Sequence, residues 1–244
     1  MKQGLFEIKE NQMLVPGVYR MRLAGDTSAI TAPGQFVNIQ LDGHYLRRPI
    51  SVCDVEGDVL TIIYKVVGKG TGEMSRMTGG KLDILTGLGN GYDLEAAGER
   101  PVLLGGGVGV PPMYKLAKEL IARGVVPTVI LGFNKAEEIF YEEEFKALGC
   151  KTMVTTVDGS YGIKGFVTDA LAQVEYTHFY TCGPEPMLKA VYRASTTSGQ
   201  MSFEERMGCG FGACMGCSCQ TLTGYKRICK DGPVMRKEEI KWAD

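Results

Sequence analysis

Along residues 1 to about 98, apolar positions recur in short runs. They are Leu5–Ile8, Val18–Leu23, Gln35–Leu41, Ile50–Cys53, Leu60–Val67 and Leu82–Leu85. Between them stand Pro16-Gly17, Gly25-Asp26, Pro33-Gly34, Asp42-Gly43 and Glu56-Gly57-Asp58. Short runs bounded by Gly, Pro and Asp read as strands joined by tight turns. Their spacing predicts an antiparallel β-barrel, closed by the last run. A linker rich in Gly and charge follows, near residues 90–100. The pattern then changes. Val102–Leu104 is a continuous apolar run, as in a strand buried on both faces. Pro112–Arg123 carries Met113, Leu116, Ala117, Leu120 and Ile121 at helical spacing. Val125–Leu131 reads as a strand, Glu137–Leu148 as a helix and Cys150–Val157 as a strand. Val167–Leu171 reads as a helix and His178–Thr181 as a strand. Strands alternating with helices predict an α/β domain on a parallel sheet. The expected organisation is a barrel over 1–98, an α/β nucleotide domain over 99–199 and a C-terminal segment over 200–244.

Composition narrows the function classes. The chain has 244 residues, with 27 Lys and Arg against 28 Asp and Glu, a formal charge of −1. That balance argues against nucleic acid as a partner, since phosphate binding requires a basic surface. It also argues against a polybasic membrane anchor. No run approaches the roughly 20 apolar residues of a membrane span. Met1–Glu10 lacks the basic-then-apolar pattern of a signal peptide. A cytoplasmic protein is the expectation. The unusual numbers are 33 Gly and 8 Cys.

Five of the eight cysteines fall between Cys209 and Cys229. Such local crowding in a long chain points to a metal site rather than a disulfide scaffold. Cys209, Cys214, Cys217 and Cys229 give the spacing Cys-x4-Cys-x2-Cys-x11-Cys. Cys-x4-Cys-x2-Cys followed by a distant fourth cysteine is the plant-type [2Fe–2S] arrangement. Gly208, Gly210, Gly212 and Gly216 would let the loop wrap closely and turn its amides toward sulfur. Structural zinc is the alternative, although it more often uses two short Cys-x2-4-Cys knuckles. Cys219 lies outside the spacing and reads as a packed neighbour.

Gly105, Gly106, Gly107 and Gly109 follow the Val102–Leu104 strand, and Pro111 and Pro112 suit the first turn of the next helix. Strand, glycine turn and helix N-terminus form a pyrophosphate-binding arrangement, with a plain tight connection as the bland alternative. Cys182-Gly183-Pro184, after the last predicted strand, could face a nicotinamide ring. The only histidines are His44 and His178, and nothing pairs either with Cys182 as a hydrolytic nucleophile. The Glu142-Glu143-Glu144 run reads as a solvated face. The second strand runs into Gly132-Phe133-Asn134 without an Arg for a 2′-phosphate, which favours NAD over NADP, with Lys135 as the counterweight.

In the barrel, Arg48-Pro49-Ile50-Ser51 places a phosphate-matching guanidinium on a constrained strand. Ile63-Tyr64-Lys65 precedes Gly68-Lys69-Gly70-Thr71, a glycine turn opening a short helix. Each has a bland reading as a surface arginine or an ordinary loop.

Together these residues resemble the ferredoxin–NADP reductase superfamily, in which an Arg-Pro-x-Ser strand and a Gly-Thr helix turn hold a flavin. The cysteine segment, entered through Ser202-Phe203-Glu204-Glu205-Arg206-Met207-Gly208-Cys209, is similar to that of class 1B dihydroorotate dehydrogenase electron-transfer subunits. The resemblance covers almost the whole chain. It implies that Arg48, Pro49, Ile50 and Ser51 contact FAD. It further implies that Ile63, Tyr64 and Lys65 line the isoalloxazine and ribityl chain, and that Gly70 and Thr71 cap the pyrophosphate. Cys209, Cys214, Cys217 and Cys229 would ligate a [2Fe–2S] cluster. NAD would enter through Gly105–Gly109 and Cys182, Gly183 and Pro184. The implied partner is an FMN-containing dihydroorotate dehydrogenase catalytic subunit, in a heterotetramer of two of each. No residue would act as a catalytic acid, base or nucleophile. A diaphorase subunit of a hydrogenase, sulfide dehydrogenase or ferredoxin:NAD(P) oxidoreductase, and a flavin-free zinc-stabilised interaction module, are the competing readings.

Overall fold

The computed structural model describes residues 1–242. Six strands form a closed antiparallel barrel: β1 (Lys2–Val15), β2 (Val18–Ala24), β3 (Phe36–Ile39), β4 (Arg48–Glu56), β5 (Val59–Lys65) and β6 (Lys81–Leu88). Their order around the barrel is β1-β2-β5-β4-β3-β6. The first strand is far longer than its apolar run, Leu5–Ile8. Its polar half is held by ladder bonding rather than burial. It pairs with β6 through Lys2–Glu7 and with β2 through Glu7–Val15.

Strand alternation assigns each side of β5 a different task. Ile62 and Tyr64 point into the barrel core with Met21, Leu23, Ile39 and Ile84. Ile63 points the other way and joins Val18 and Cys53 in a second core shared with the nucleotide domain. That junction also carries charge: Lys118 donates to Asp54 at 2.6 Å and to Glu56 at 3.2 Å.

A seven-stranded sheet forms the second layer. Its strands include β7 (Pro101–Gly106), β8 (Thr128–Phe133), β9 (Lys151–Thr156), β10 (Ile163–Lys164), β11 (His178–Cys182) and β12 (Gly199–Ser202). The order is β10-β9-β8-β7-β11-β12-β15, where β15 (Val234–Arg236) comes from the C-terminal segment, and the pairing is parallel except at the β12–β15 edge. The helices are α1 (Lys69–Met74), in the barrel, then α2 (Val110–Ala122), α3 (Glu142–Ala147), α4 (Val167–Leu171) and α5 (Glu185–Ala194).

Several elements differ from the sequence reading for identifiable reasons. The helix expected over Glu137–Leu148 is a 3₁₀ turn at Ala136–Glu138 followed by α3. Between them Phe140 and Tyr141 are buried in the shared core, and Tyr141 adopts φ +67°. Packing of two aromatics overrides helical propensity there. The strand expected from Val125 starts at Thr128, after Pro127, which has no N–H for the ladder. The C-terminal segment adds the β13–β14 hairpin (Ser218–Thr221, Gly224–Arg227) and β15 (Val234–Arg236). Thus the edge strand of the nucleotide sheet comes from beyond the cysteines.

The stretch expected as a linker is an ordered strap. Tyr92 N donates to Pro33 O at 2.9 Å, and Asn90 N donates to Gly232 O at 2.7 Å. Asn90 Nδ2 donates to Val234 O and Asp93 N to Gln200 Oε1, both at 2.7 Å. The strap therefore ties barrel, sheet and cysteine segment together. Among the described residues, no helix is long and apolar enough to cross a membrane.

His178 sits buried at the start of β11. Gln200 Nε2 lies 3.2 Å from its Nε2, and the same amide's oxygen accepts from Asp93 N. The amide orientation makes His178 Nε2 an acceptor, so the ring is neutral. Burial lowers its pKa from the ordinary 6.5. The unfolded chain therefore takes up this proton first as pH falls. Its contribution to stability is complete above pH 6.5 and is lost as pH falls through the folded value. Denaturant titrations from pH 7.5 to 5 should show this loss, and His178→Phe should flatten the slope below 6.5. An unchanged slope would assign the acid sensitivity to other groups.

Candidate cofactor sites

The four spaced cysteines fall into two pairs. In each pair the backbone N–H of one cysteine donates to the sulfur of the other, Cys214 to Cys209 and Cys229 to Cys217. Backbone amides converge on the same sulfurs. Ala213 N and Cys214 N donate to Cys209 Sγ at 3.2 and 3.4 Å, and Cys229 N donates to Cys217 Sγ at 3.4 Å. Burial acts against the Cys209 thiolate. The amides of Cys214, Phe211 and Ala213, with the Cys214 thiol, outweigh it and bring the pKa down to about 6. Burial and the adjoining Cys217 thiol push Cys229 up to about 12. Among the described residues, no three His, Cys, Asp or Glu side chains converge as a single ion requires. Two soft sulfur pairs with amides turned toward them fit a binuclear iron–sulfur group better than one tetrahedral zinc.

Positive φ angles in this loop fall on Gly210, Gly212 and Met215, so they do not account for Gly208 and Gly216. Those two instead lie against the Cys214 sulfur, where an added Cβ would stand 3.2 and 3.5 Å away. Cys219 packs, partly buried, against the group formed by Phe36, Leu85, Leu88, Cys217, Ile228, Cys229 and Met235. Burial raises its pKa.

The inner pair, Cys217 and Cys229, is thus sealed against β3 and β6, whereas Cys214 is exposed. A polar contact completes the docking: Asn38 Nδ2 of β3 donates to Cys209 O at 3.2 Å. Asn38 is only 1% exposed.

On the far side of β3 lies β4, with Arg48 opposite Ile39, Pro49 opposite Asn38, Ile50 opposite Val37 and Ser51 opposite Phe36. The Arg48 guanidinium lies over Gly70, where any Cβ would come within 2.4 Å of its Nε. Thr71 Oγ1 accepts from Val67 N at 2.9 Å and Gly68 N at 3.3 Å, so this side chain shapes the loop from within. Tyr64 is likewise committed inside the barrel, stacked on Tyr19 with its hydroxyl donating to Asn11 Oδ1 at 2.9 Å. Ile63 faces the junction and Lys65 is exposed. Sequence reasoning missed His44, which bridges Arg48 and Glu73. Its position four residues before Arg48 was the available signal.

The two expected nucleotide loops meet. Cys182 pairs with Gly105 across β11 and β7. A Cβ on Gly109 would stand 2.2 Å from Cys182 O, so only glycine permits this approach. Gly106 and Gly183 both pack against Met187 Sδ. Gly107 opens the 3₁₀ turn before α2, and Pro184 is the N-cap of α5. Burial, opposed by a hydrogen bond with Ser202, pushes the Cys182 thiol up to about 12, which keeps it neutral.

A barrel carrying Arg48 over a glycine loop, joined to this parallel sheet, defines a reductase of the ferredoxin–NADP reductase fold, extended by a cysteine segment. Comparisons with known proteins agree. Residues 103–193 match the oxidoreductase NAD-binding domain. Residues 204–241 match the iron–sulfur cluster binding domain of dihydroorotate dehydrogenase B. A Fusobacterium nucleatum protein named dihydroorotate dehydrogenase B (NAD(+)), electron transfer subunit, is 43% identical over 96% of both chains. A namesake from Geobacillus sp. is 42% identical over 98% of this chain and 99% of its own. Among solved structures, one from a study of an NADH-dependent reduced ferredoxin-NADP oxidoreductase superposes with TM-score 0.88. It is 31% identical and covers 98% of this chain and 90% of its own. A Neisseria gonorrhoeae ferredoxin NADP+ reductase shares the fold, at TM-score 0.70 and 18% identity over 80% of this chain and 90% of its own. The chain belongs to the family of dihydroorotate dehydrogenase B (NAD(+)) electron transfer subunits, and the expected oxidoreductase class and mixed barrel and α/β fold hold.

Removing the Asn38 amide should loosen the cysteine loop from the barrel. A lost, partly buried hydrogen bond of this kind costs about 1 kcal/mol. Asn38→Ala should therefore release iron to a chelator faster than wild type, with a slightly lower melting temperature. Unchanged release would mean that the loop holds itself without β3.

Proposed function

We propose that this subunit passes electrons between a catalytic partner's FMN, its own [2Fe–2S] cluster and FAD, and NAD+, during dihydroorotate oxidation in pyrimidine biosynthesis. The observation carrying this reading is the sharing of β3. One edge of that strand pairs with the Arg48–Ser51 strand, and its residues Phe36 and Asn38 hold the cysteine loop. When bound, the nicotinamide exchanges two electrons, the cluster one, and the flavin either, which places the flavin between them. The chain's own task is positioning.

In this reading residues 1–98 hold FAD, 99–199 hold NAD and 200–244 hold the cluster. Arg48, Pro49, Ile50 and Ser51 supply the strand against the flavin. Lys65 would act by side chain, whereas Ile63 and Tyr64, both buried, can offer only their backbone. Gly70 gives the Arg48 guanidinium room, and Thr71 holds the phosphate loop in shape. Gly105, Gly106, Gly107 and Gly109 receive the dinucleotide beside Cys182, Gly183 and Pro184. Neutral Cys182 excludes water and packs rather than reacting. NAD is favoured because Glu138 Oε2 accepts from Asn134 N at 3.2 Å and Nδ2 at 2.9 Å, putting a carboxylate at the end of β8. A 2′-phosphate would meet like charge there.

Exposed apolar side chains of the cysteine segment are Phe211 and Met215, on the loop of the outer pair, and Leu222 and Tyr225, on the β13–β14 hairpin. An apolar rim beside Cys214 suits docking of the FMN-bearing catalytic subunit, with two of each chain in the assembly. Eight free cysteines agree with a reducing, cytoplasmic compartment. The 31% identity to the chain from the NADH-dependent reduced ferredoxin-NADP oxidoreductase study supports a second reading, a diaphorase subunit with another donor. Identification of the copurifying chain separates the two.

Cys214→Ser should abolish transfer from dihydroorotate to NAD+ in the assembled complex while flavin stays bound, as read by visible absorption and iron content. Retained dihydroorotate:NAD+ activity would defeat the proposed route. Phe211→Glu should weaken association with the catalytic subunit, seen by size-exclusion chromatography, without loss of iron or flavin. Undiminished association would move the docking surface elsewhere.

A further inference from the structure

We infer that His44, backed by Glu73, is a positioning residue that holds the Arg48 guanidinium ready for the flavin phosphates. The inference rests on the reading that Arg48 and the Gly70–Thr71 turn hold FAD. His44 Nδ1 lies 2.6 Å from Arg48 Nη2, and His44 Nε2 lies 2.8 Å from Glu73 Oε2. A guanidinium only donates and a carboxylate accepts. Nδ1 therefore offers its lone pair to Arg48, and Nε2–H donates to Glu73. The two partners fix one tautomer of the ring. The imidazole side chain is only 15% exposed, so water does not readily replace these contacts.

Each member comes from a different part of the flavin corner. His44 lies in the loop before β4, Arg48 opens β4, and Glu73 lies in α1, three residues after Gly70. Arg48 also donates through Nη1 to Leu46 O. Its guanidinium is thus clamped from behind by His44 and Leu46 while lying over Gly70. A free arginine must give up rotamer freedom when it binds an anion. Here that ordering is done in advance, and the planar fork keeps its other donors for phosphate. Glu73 acts on the anion only through His44. It orients the ring and makes Nδ1 a better acceptor, as carboxylates do behind metal-bound histidines.

The test measures FAD binding by flavin fluorescence quenching, using full-length chain stripped of flavin. His44→Phe keeps the ring volume but cannot accept from Arg48, and should weaken FAD about tenfold. His44→Asn places Oδ1 where Nδ1 stands and should recover most of that loss. Glu73→Gln should give a smaller loss, about threefold. In an Arg48→Ala background, His44→Phe should add nothing, because the histidine acts through the arginine. Wild-type affinity in His44→Phe, or an equal loss with and without Arg48, would overturn the inference. An effect of His44→Phe that His44→Asn fails to relieve would also overturn it. An Arg48→Ala variant that binds FAD normally would instead remove the flavin assignment beneath it.

Discussion

Strand β3 is only four residues long, yet both cofactor sites of the proposed relay depend on it. Its backbone is occupied on both edges, by β4 and by β6. Its side chains are buried at every position. Phe36 and Asn38 reach the cysteine segment, whereas Val37 and Ile39 fill the barrel core. Period-2 alternation makes this division possible, because neighbouring residues serve opposite faces. A one-residue slip would exchange the faces. Asn38 would then turn into the barrel core, Cys217 and Cys229 would lose their apolar seat, and Arg48 would shift against the Gly70 turn. The closed barrel prevents that slip, since six paired strands would have to move together.

Close backbone approach plays the same part in the nucleotide domain. The Gly109 and Cys182 contact brings the loops after β7 and β11 together at the carboxyl end of adjacent parallel strands. Such strand ends are where dinucleotides bind in α/β sheets. The strap from Asn90 to Asp93 ties this end to the barrel and to Gly232 and Val234 of the cysteine segment. Tyr92 OH adds a bond to Thr181 O at 3.1 Å, one residue before Cys182. The relative placement of the three parts is therefore fixed by hydrogen bonds in a segment whose composition suggests a loose linker.

Local signals made most of this architecture legible. Apolar runs between Gly, Pro and Asp gave the barrel strands, and the βα alternation gave the parallel sheet. Cysteine spacing pointed to the iron–sulfur segment that residues 204–241 match. What stayed hidden depends on contacts distant in sequence. The polar half of β1 has no apolar pattern and exists because β2 pairs with it. The edge strand β15 is three residues long and is defined by β12. Tyr64 looked available for a flavin, but its phase on β5 turns it inward. His44 was invisible as a site residue because its partners, Arg48 and Glu73, meet only after α1 folds back on β4.

The pairing of cysteines gives the site a direction that four equivalent ligands would not have. Cys217 and Cys229 are enclosed by Phe36, Leu85, Leu88 and Met235. Cys209 and Cys214 face outward, and amides of their own loop donate to Cys209. A group held by both pairs would have one half in an apolar seat and one half near water. Desolvation penalises added negative charge at the inner half, whereas amide dipoles and solvent favour it at the outer half. On the proposed assignment, Cys209 and Cys214 would hold the side of the cluster toward the partner, and Cys217 and Cys229 the side toward β3. This polarity follows from the fold: the outer cysteines sit in a glycine-rich loop that leaves Cys214 exposed, and the inner ones lie against two strands of a closed barrel.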